Sequence, residues 1–371
     1  GGNESTRLSV HVAPKAVSAT TVSGVTFDGT TGLLTTTGRG LAQGEGSERY
    51  ESMQVPLILG TEDPDDTFPE NSPVQTLETV DLIAVGASST APQLDDPSAG
   101  LLTIGMVVDG DWANLNPLSY PMVQLDLNGD RRSDFVIIVR PGSGTDGAMA
   151  LTIDAATGAT VDERPVNSLF GDRGTNIFDN NVMTMSVSLE SLGYTAATTQ
   201  TQVTYWLQTR SYYAPNYDGT YQSSLLDETA ASTIDAYDPA MWFGETGAEA
   251  ANFSDQPGQL RVHRNEGDDS RILVLHLHGE KGSRSQIVTP TDNAEPTPTP
   301  TAQPTTAPTP DPGPTAGAEP QMPNDSGSSS GGNLASTGVD GGLAWLTGVI
   351  GLAAMVGGFL LIRRRRSAVR D

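Results

Sequence analysis

Asp126-Leu127-Asn128-Gly129-Asp130-Arg131-Arg132-Ser133-Asp134 places oxygen-bearing side chains at loop positions 1, 3, 5 and 9. A hard cation such as calcium takes about six to eight oxygen ligands, and a tight turn with this spacing directs several inward. Three carboxylates in so short a stretch repel one another unless a cation or solvent compensates. The chemistry expected is therefore a structural Ca2+ ion held by Asp126, Asn128, Asp130 and Asp134. The loop is not an EF-hand, because Arg131 stands where that loop needs glycine and Ile137 where it needs a bidentate glutamate. Asn128-Gly129-Asp130 also has the composition of a plain hairpin turn, which needs no ion.

Histidines are few: His11, His263, His276 and His278. In His276-Leu277-His278 an extended backbone would point both imidazoles to one face. Two ligands without a third make a weak metal signal, so the expectation is a hydrogen-bonded strand histidine. Carboxylates are too numerous for any pair to stand out as an acid and base. The β-rich region has no Gly-x-Ser-x-Gly elbow, no Gly-Thr-Ser-Met segment and no Walker loop, so no catalytic residue is assigned. Tyr212, Tyr213, Trp112, Trp206 and Trp242 supply aromatic surface for stacking on sugars. In a β-sandwich such residues more often fill the core, and that is the expectation for them.

The elements that must position these groups are strands. Short β-branched or alternating runs recur at Leu8–Val12, Leu101–Val108, Phe135–Val139, Met183–Ser188, Thr201–Leu207 and Ile272–Leu277, punctuated by Gly, Asp, Asn and Pro. No long helical periodicity occurs before the C-terminal end. The fold class expected is all-β, with two β-sandwich domains followed by a disordered Pro/Thr stalk and one C-terminal transmembrane helix. The acidic stretch Gly60–Asn71 reads as the domain boundary, giving an accessory sandwich at 1–62 and a larger sandwich at 72–288.

The chain has 371 residues, no cysteine, 36% hydrophobic residues and a formal net charge of −25. Without cysteine there are no disulfides, thiolate nucleophiles or cysteine-ligated metals. The acidity excludes nucleic acid as an expected partner, since phosphate binding needs Lys and Arg. Lys15 and Lys281 are the only lysines, which leaves little material for Lys–Asn cross-links. Gly1-Gly2-Asn3-Glu4 has neither an initiator Met nor the regions of a signal peptide, so an export signal is expected upstream.

The C-terminal end carries its own chemistry. Residues 289–333 are rich in Pro, Thr, Gly and Ser; alternation such as Pro296-Thr297-Pro298-Thr299-Pro300 favours an extended, semi-rigid spacer. At 334–371 come Leu334-Ala335-Ser336-Thr337-Gly338, an apolar run from Gly342 to Ile362, and Arg363-Arg364-Arg365-Arg366. At about 1.5 Å per residue the apolar run spans roughly 30 Å, enough to cross a bilayer core. The arginines would stay on the cytoplasmic side, which places the preceding chain outside the cell. This order resembles the sorting signal of Gram-positive surface proteins, in the Leu-Ala-x-Thr-Gly form of actinobacteria. The resemblance implies cleavage by a sortase between Thr337 and Gly338 and covalent attachment of Thr337 to peptidoglycan. The apolar segment would then hold the protein in the membrane only transiently, and the mature protein would be an extracellular, cell-wall protein.

Further motifs are similar to a region that follows the catalytic domain of actinobacterial subtilisin-like serine peptidases. They are Arg7–Ser18, Asp81–Ala87, the acidic loop Asp126–Phe135, Asn176–Val182, and Leu273–Gly279 with Arg284. Departures from that pattern include Ala16 for Pro, Asn128 for Asp, Arg131 for Gly and Gly279 for Asn. The resemblance implies an accessory and anchoring part of a serine endopeptidase whose catalytic residues lie upstream. It also likens the second sandwich to carbohydrate-binding and DOMON modules, with a protein or glycan as partner. The alternative from the residues alone is a stand-alone surface adhesin or glycan-binding protein.

Overall fold

The computed structural model describes residues 18–40, 42–43, 50–63, 78–112, 119–141, 147–167, 180–211, 224–246, 251, 253–255, 257–279 and 284–293. All belong to the compact unit Gly1–Asn293. The run Leu8–Val12, the tyrosines Tyr212 and Tyr213, the sequence from Ala294 through the stalk, and Leu334 to Gly338 lie outside the described residues. Among the described residues no helix is long and apolar enough to cross a membrane.

The fold is all-β, as the alternating runs predict. The first strands are β1 (Ala19–Asp28), β2 (Thr31–Arg39), β3 (Ala42–Gln43), β4 (Tyr50–Glu51), β5 (Met53–Glu62), β6 (Leu82–Ser89) and β7 (Leu101–Trp112). There follow β8 (Ser119–Asp126), β9 (Phe135–Pro141), β10 (Ala148–Asp154), β11 (Thr160–Pro165), β12 (Asn180–Ser188), β13 (Gln202–Ser211) and β14 (Ser224–Glu228). The last are β15 (Ser232–Asp235), β16 (Met241–Phe243), β17 (Ser254–Asp255), β18 (Gln259–Arg264), β19 (Ile272–Leu277), β20 (Ser285–Val288) and β21 (Thr291–Asp292).

Among the described residues three large sheets result. A shared sheet runs β12-β7-β6-β5-β19-β20, with β17 on β5. A second sheet runs β16-β18-β2-β1-β21, and a third runs β11-β10-β9-β8-β13-β14 with β15 on β13. Directly paired residues lie on one face, so the register of the shared sheet shows what covers it. Val288, Ile272, Ile58, Ala87, Ile104 and Met185 form one row across six strands. Ile272 and Val288 pack with Val25, Phe27 and Leu34 of the second sheet. Ala87, Ile104 and Met185 pack with Val123, Leu125, Ile137 and Leu207 of the third. Ile58 touches both cores. The second and third sheets therefore cover different halves of the same face.

The opposite face of the shared sheet is also buried, around Met53, Val55, Leu57, Leu273, Leu275 and Leu277. Burial on both faces explains why Ile272–Leu277 reads as a nearly continuous apolar run rather than an alternation. Gly105 serves this face, since a Cβ there would stand 2.2 Å from Leu57 Cδ1 and 2.8 Å from Leu275 Cδ1.

Strands from both sides of the acidic stretch share sheets. β5, before it, lies between β6 and β19, and β18 pairs with β2. Sequence 82–235 supplies β6 to β15, after which the chain returns to complete the layers begun by β1, β2 and β5. The stretch after Gly60 marks where the chain leaves the first core, but the residues from 241 onward return to it. At the crossing, a Cβ on Gly60 would stand 2.4 Å from the phenol oxygen of Tyr205. Glycine lets that buried ring of the third sheet approach β5.

Asn167 and Asp162 bond the outer edge of β12, Asp162 accepting the Ser188 N–H at 2.8 Å. Asn167, at φ 56°, donates its N–H to the Thr184 carbonyl at 3.0 Å and accepts the Thr184 N–H on Oδ1 at 2.8 Å. At the last strand, β21 runs parallel to β1, and the Asn293 N–H donates to the Phe27 carbonyl at 2.9 Å. Arg264 holds this end: its guanidinium lies 4.1 Å over the Phe27 ring, donates to the Gly29 and Asp268 carbonyls and pairs with Asp292.

Candidate functional site

The acidic loop joins β8 to β9, so both its ends are fixed by paired strands. Asp126 is buried and works as the hub. Its Oδ1 accepts the N–H groups of Asn128 at 3.1 Å and Gly129 at 2.7 Å, and its Oδ2 accepts that of Arg131 at 2.8 Å. Asp134 closes the far end, accepting the Leu127 N–H at 2.8 Å and the Asn128 side-chain amide at 2.9 Å. Asp130 Oδ1 accepts the Arg132 N–H. Arg131 lies at φ 64°, the left-handed region that favours glycine. The four residues named from spacing thus meet in one loop, and their oxygens receive backbone and amide N–H groups. Among the described residues no group of three His, Cys, Asp or Glu side chains is gathered for a metal.

His276 sits fully buried between the second sheet and the shared sheet. Its Nε2 lies 2.9 Å from Gln286 Oε1, an acceptor, so Nε2 carries the proton; Nδ1 then accepts from the Thr20 hydroxyl at 2.8 Å. Gln54 donates to Thr20 Oγ1 at 3.4 Å, and Gln286 Oε1 also accepts the Val22 N–H at 2.7 Å. Burial holds the imidazole pKa below its usual value, and the Gln286 hydrogen bond works the other way. The ring is a neutral, satisfied strand histidine. His278 falls just past the strand at φ 66°, where its carbonyl accepts from the Ser18 hydroxyl, so the two histidines are not paired on one strand face.

The tryptophans divide, which corrects the expectation that they fill cores. Trp112 is buried in the core under the third sheet. Trp206 alternates with the buried Tyr205 and Leu207 and lies half-buried on the outer side of that sheet. There it stands opposite Gln124, beside a ladder in which Ser133 donates to Gln124 at 2.6 Å, Gln124 to Gln208 at 3.3 Å, and Gln208 to Glu228.

Trp242 lies between the fully buried Met241 and Phe243, and so is turned to the outer side of the second sheet. Its indole stacks on His263 of the neighbouring strand, with ring centroids 3.6 Å apart and planes 6° from parallel. Burial, ahead of its other neighbours, lowers the His263 pKa. Along the same face Arg261 pairs with Glu245 at 2.7 Å and stands opposite Leu33, which is 42% exposed. Comparison with protein-family models, curated proteins and solved structures found no match.

Sequence reasoning missed Thr20 and Gln286 as partners of His276, and Gln54 as a donor to Thr20: Thr20 lies 256 residues away on another sheet, and Gln286, only ten residues away, is brought back beside it by the antiparallel pairing of β19 with β20. It also missed His263 and Arg261. Their signal was present in Leu260-Arg261-Val262-His263, where an apolar–polar alternation marks the two polar residues as outward.

Proposed function

We propose that this chain is a displayed surface module: the accessory and anchoring part of a subtilisin-like serine endopeptidase, joined to peptidoglycan through Thr337 by a sortase. The observation that carries the display reading is the order of Leu334–Gly338, the Gly342–Ile362 apolar run and the four arginines. The pinned exit at Asn293 supports it from the folded side, since the Pro/Thr-rich sequence begins immediately beyond. In this reading the two cores are two β-sandwiches that share one sheet, and they brace the upstream catalytic domain. The experiment is intact mass with terminal peptide mapping on protein released from cell walls by a muralytic enzyme. A species ending at Thr337 with wall peptide, and bearing a catalytic domain ahead of Gly1, is expected. Retention of Gly338 onward would remove the sorting step, and a species beginning near Gly1 would leave a displayed binding protein.

Calcium at Asp126, Asn128, Asp130 and Asp134 is proposed within the same reading as a structural ion. Its support is the spacing of those oxygens, together with the left-handed backbone at Arg131, where the resembling family has glycine. Added calcium should raise the melting temperature and EDTA lower it; an unchanged melting temperature would leave the loop an ion-free turn.

A further inference from the structure

We propose that the first and last strands form a mechanical clamp, in which tension between β1 and Asn293 is met in shear by hydrogen bonds on both sides of the segment Ser285–Asn293. The source of that tension rests on the display reading, a stalk fixed at its far end; the clamp itself rests on strand pairing. β20 and β21 are one run that changes sheets. β20 pairs antiparallel with β19 in the shared sheet, from Ile272 with Val288 to Leu275 with Ser285. β21 pairs parallel with β1 in the second sheet, Thr26 with Thr291 and Phe27 with Asp292. Between these pairings Gln286 Oε1 accepts the Val22 N–H at 2.7 Å. Gln286 thus lies beside Val22 and Thr291 beside Thr26, so the terminal run advances alongside β1 in the same direction.

Direction decides how such a contact fails. Strands drawn apart sideways lose one bond at a time, whereas strands drawn along their axes load every bond together. Thr21 lies six residues before Phe27, which stands beside Asp292. That is roughly 20 Å along the strand, against about 4.8 Å across to β21. Tension between Thr21 and Asn293 therefore runs nearly along the strands. In its path the Asn293 N–H donates to the Phe27 carbonyl at 2.9 Å, the Thr26 and Thr291 hydroxyls bond at 3.1 Å, and the Thr291 hydroxyl donates to the Val25 carbonyl at 3.4 Å. Arg264 brackets the same spot, pairing with Asp292 while donating to the Gly29 carbonyl just past β1. β21 is short, but it continues from β20, so sliding it also shears the β19–β20 pairs. Ile272 and Val288 of those pairs are buried in the core with Phe27, which resists the slide.

The test is single-molecule force spectroscopy of the full chain, held through pairs of introduced cysteines, which are unique because the chain has none. Thr21→Cys with Ala294→Cys loads the terminal run along the strands. Thr30→Cys with Ala294→Cys, from the turn after β1, loads it across them; Thr21 and Thr30 are both exposed. At one pulling speed the first geometry should need about twofold more force than the second, or higher, because bonds in shear must yield together. Asn293→Pro, which has no N–H, and Arg264→Met should each lower the force along the strands. Leu225→Ala, on the third sheet and outside the load path, should leave it unchanged. Melting curves establish that each variant is folded. Equal forces in the two geometries overturn the clamp, as does a force along the strands that neither Asn293→Pro nor Arg264→Met lowers. Wall attachment is read separately, by mapping at Thr337: its failure would leave the force difference standing, and equal forces would leave the attachment standing.

Discussion

Asp126 and His276 are both buried polar residues, and each is held by a different logic. Asp126 takes three backbone N–H groups of the loop above it. Asp126→Ala is expected to cost about 1–3 kcal/mol by urea denaturation, because it removes three hydrogen bonds that hold the loop to its buried base. Asp130→Ala, at an exposed position, should cost less than about 1 kcal/mol in the absence of calcium. His276 predicts a pH dependence. The fold favours neutral imidazole, and Thr20 and Gln286, its hydrogen-bond partners, carry no charge to offset a proton. Its contribution is complete above the unfolded value of 6.5 and is lost as pH falls through the folded value, where the native ring must finally accept a proton. His263 is shifted in the same direction. The melting temperature should therefore fall on acidification below about pH 6.5, with a smaller slope in His276→Gln; an identical slope would assign the effect to other groups.

At the scale of elements, the outer edge of β12 is the strand edge that side chains must satisfy. A long apolar strand with unpaired N–H and C=O groups is a template for a second chain; here Asn167 takes both bonds of Thr184 and Asp162 takes the Ser188 N–H. Asn167→Ala removes the Oδ1 acceptor and strains a left-handed backbone. It should destabilise by about 2–3 kcal/mol and raise light scattering on mild heating. The strands themselves were legible: Leu101–Val108 falls within β7, Phe135–Val139 within β9 and Ile272–Leu277 is β19. The acidic loop was also legible, since its residues are adjacent in sequence and span a single hairpin. Partnership was not. Alternation tells inward from outward on a half-buried strand such as β13, but β19 is buried on both faces and its sequence carries no face to read. For the same reason Trp242 could be assigned outward only once Met241 and Phe243 were known to share a core.

At the largest scale, the described residues of the unit Gly1–Asn293 are organised by one long sheet under two others. Arg264 fastens the last strand to the first, and its guanidinium is largely shielded although Asp292 is 66% exposed. The ion pair alone is therefore worth little, and the stacking on Phe27 together with the carbonyl bonds carries the clasp. Arg264→Met should accelerate hydrogen exchange at Asn293 and Asp292 while leaving protection in β7 and β13 unchanged; uniform loss would mean that the clasp supports the entire fold. The pairing of β1 with β21 joins positions 265 residues apart. A chain synthesised from its N-terminus can form the β1–β2 hairpin early, but its apolar side has no cover until β18 to β21 have been made. The core of 82–235 is more local in sequence and can close first. Completion of the first layer is thereby a report that synthesis has passed residue 292, and a chain that stops short of it presents an unfinished apolar sheet open to aggregation and proteolysis.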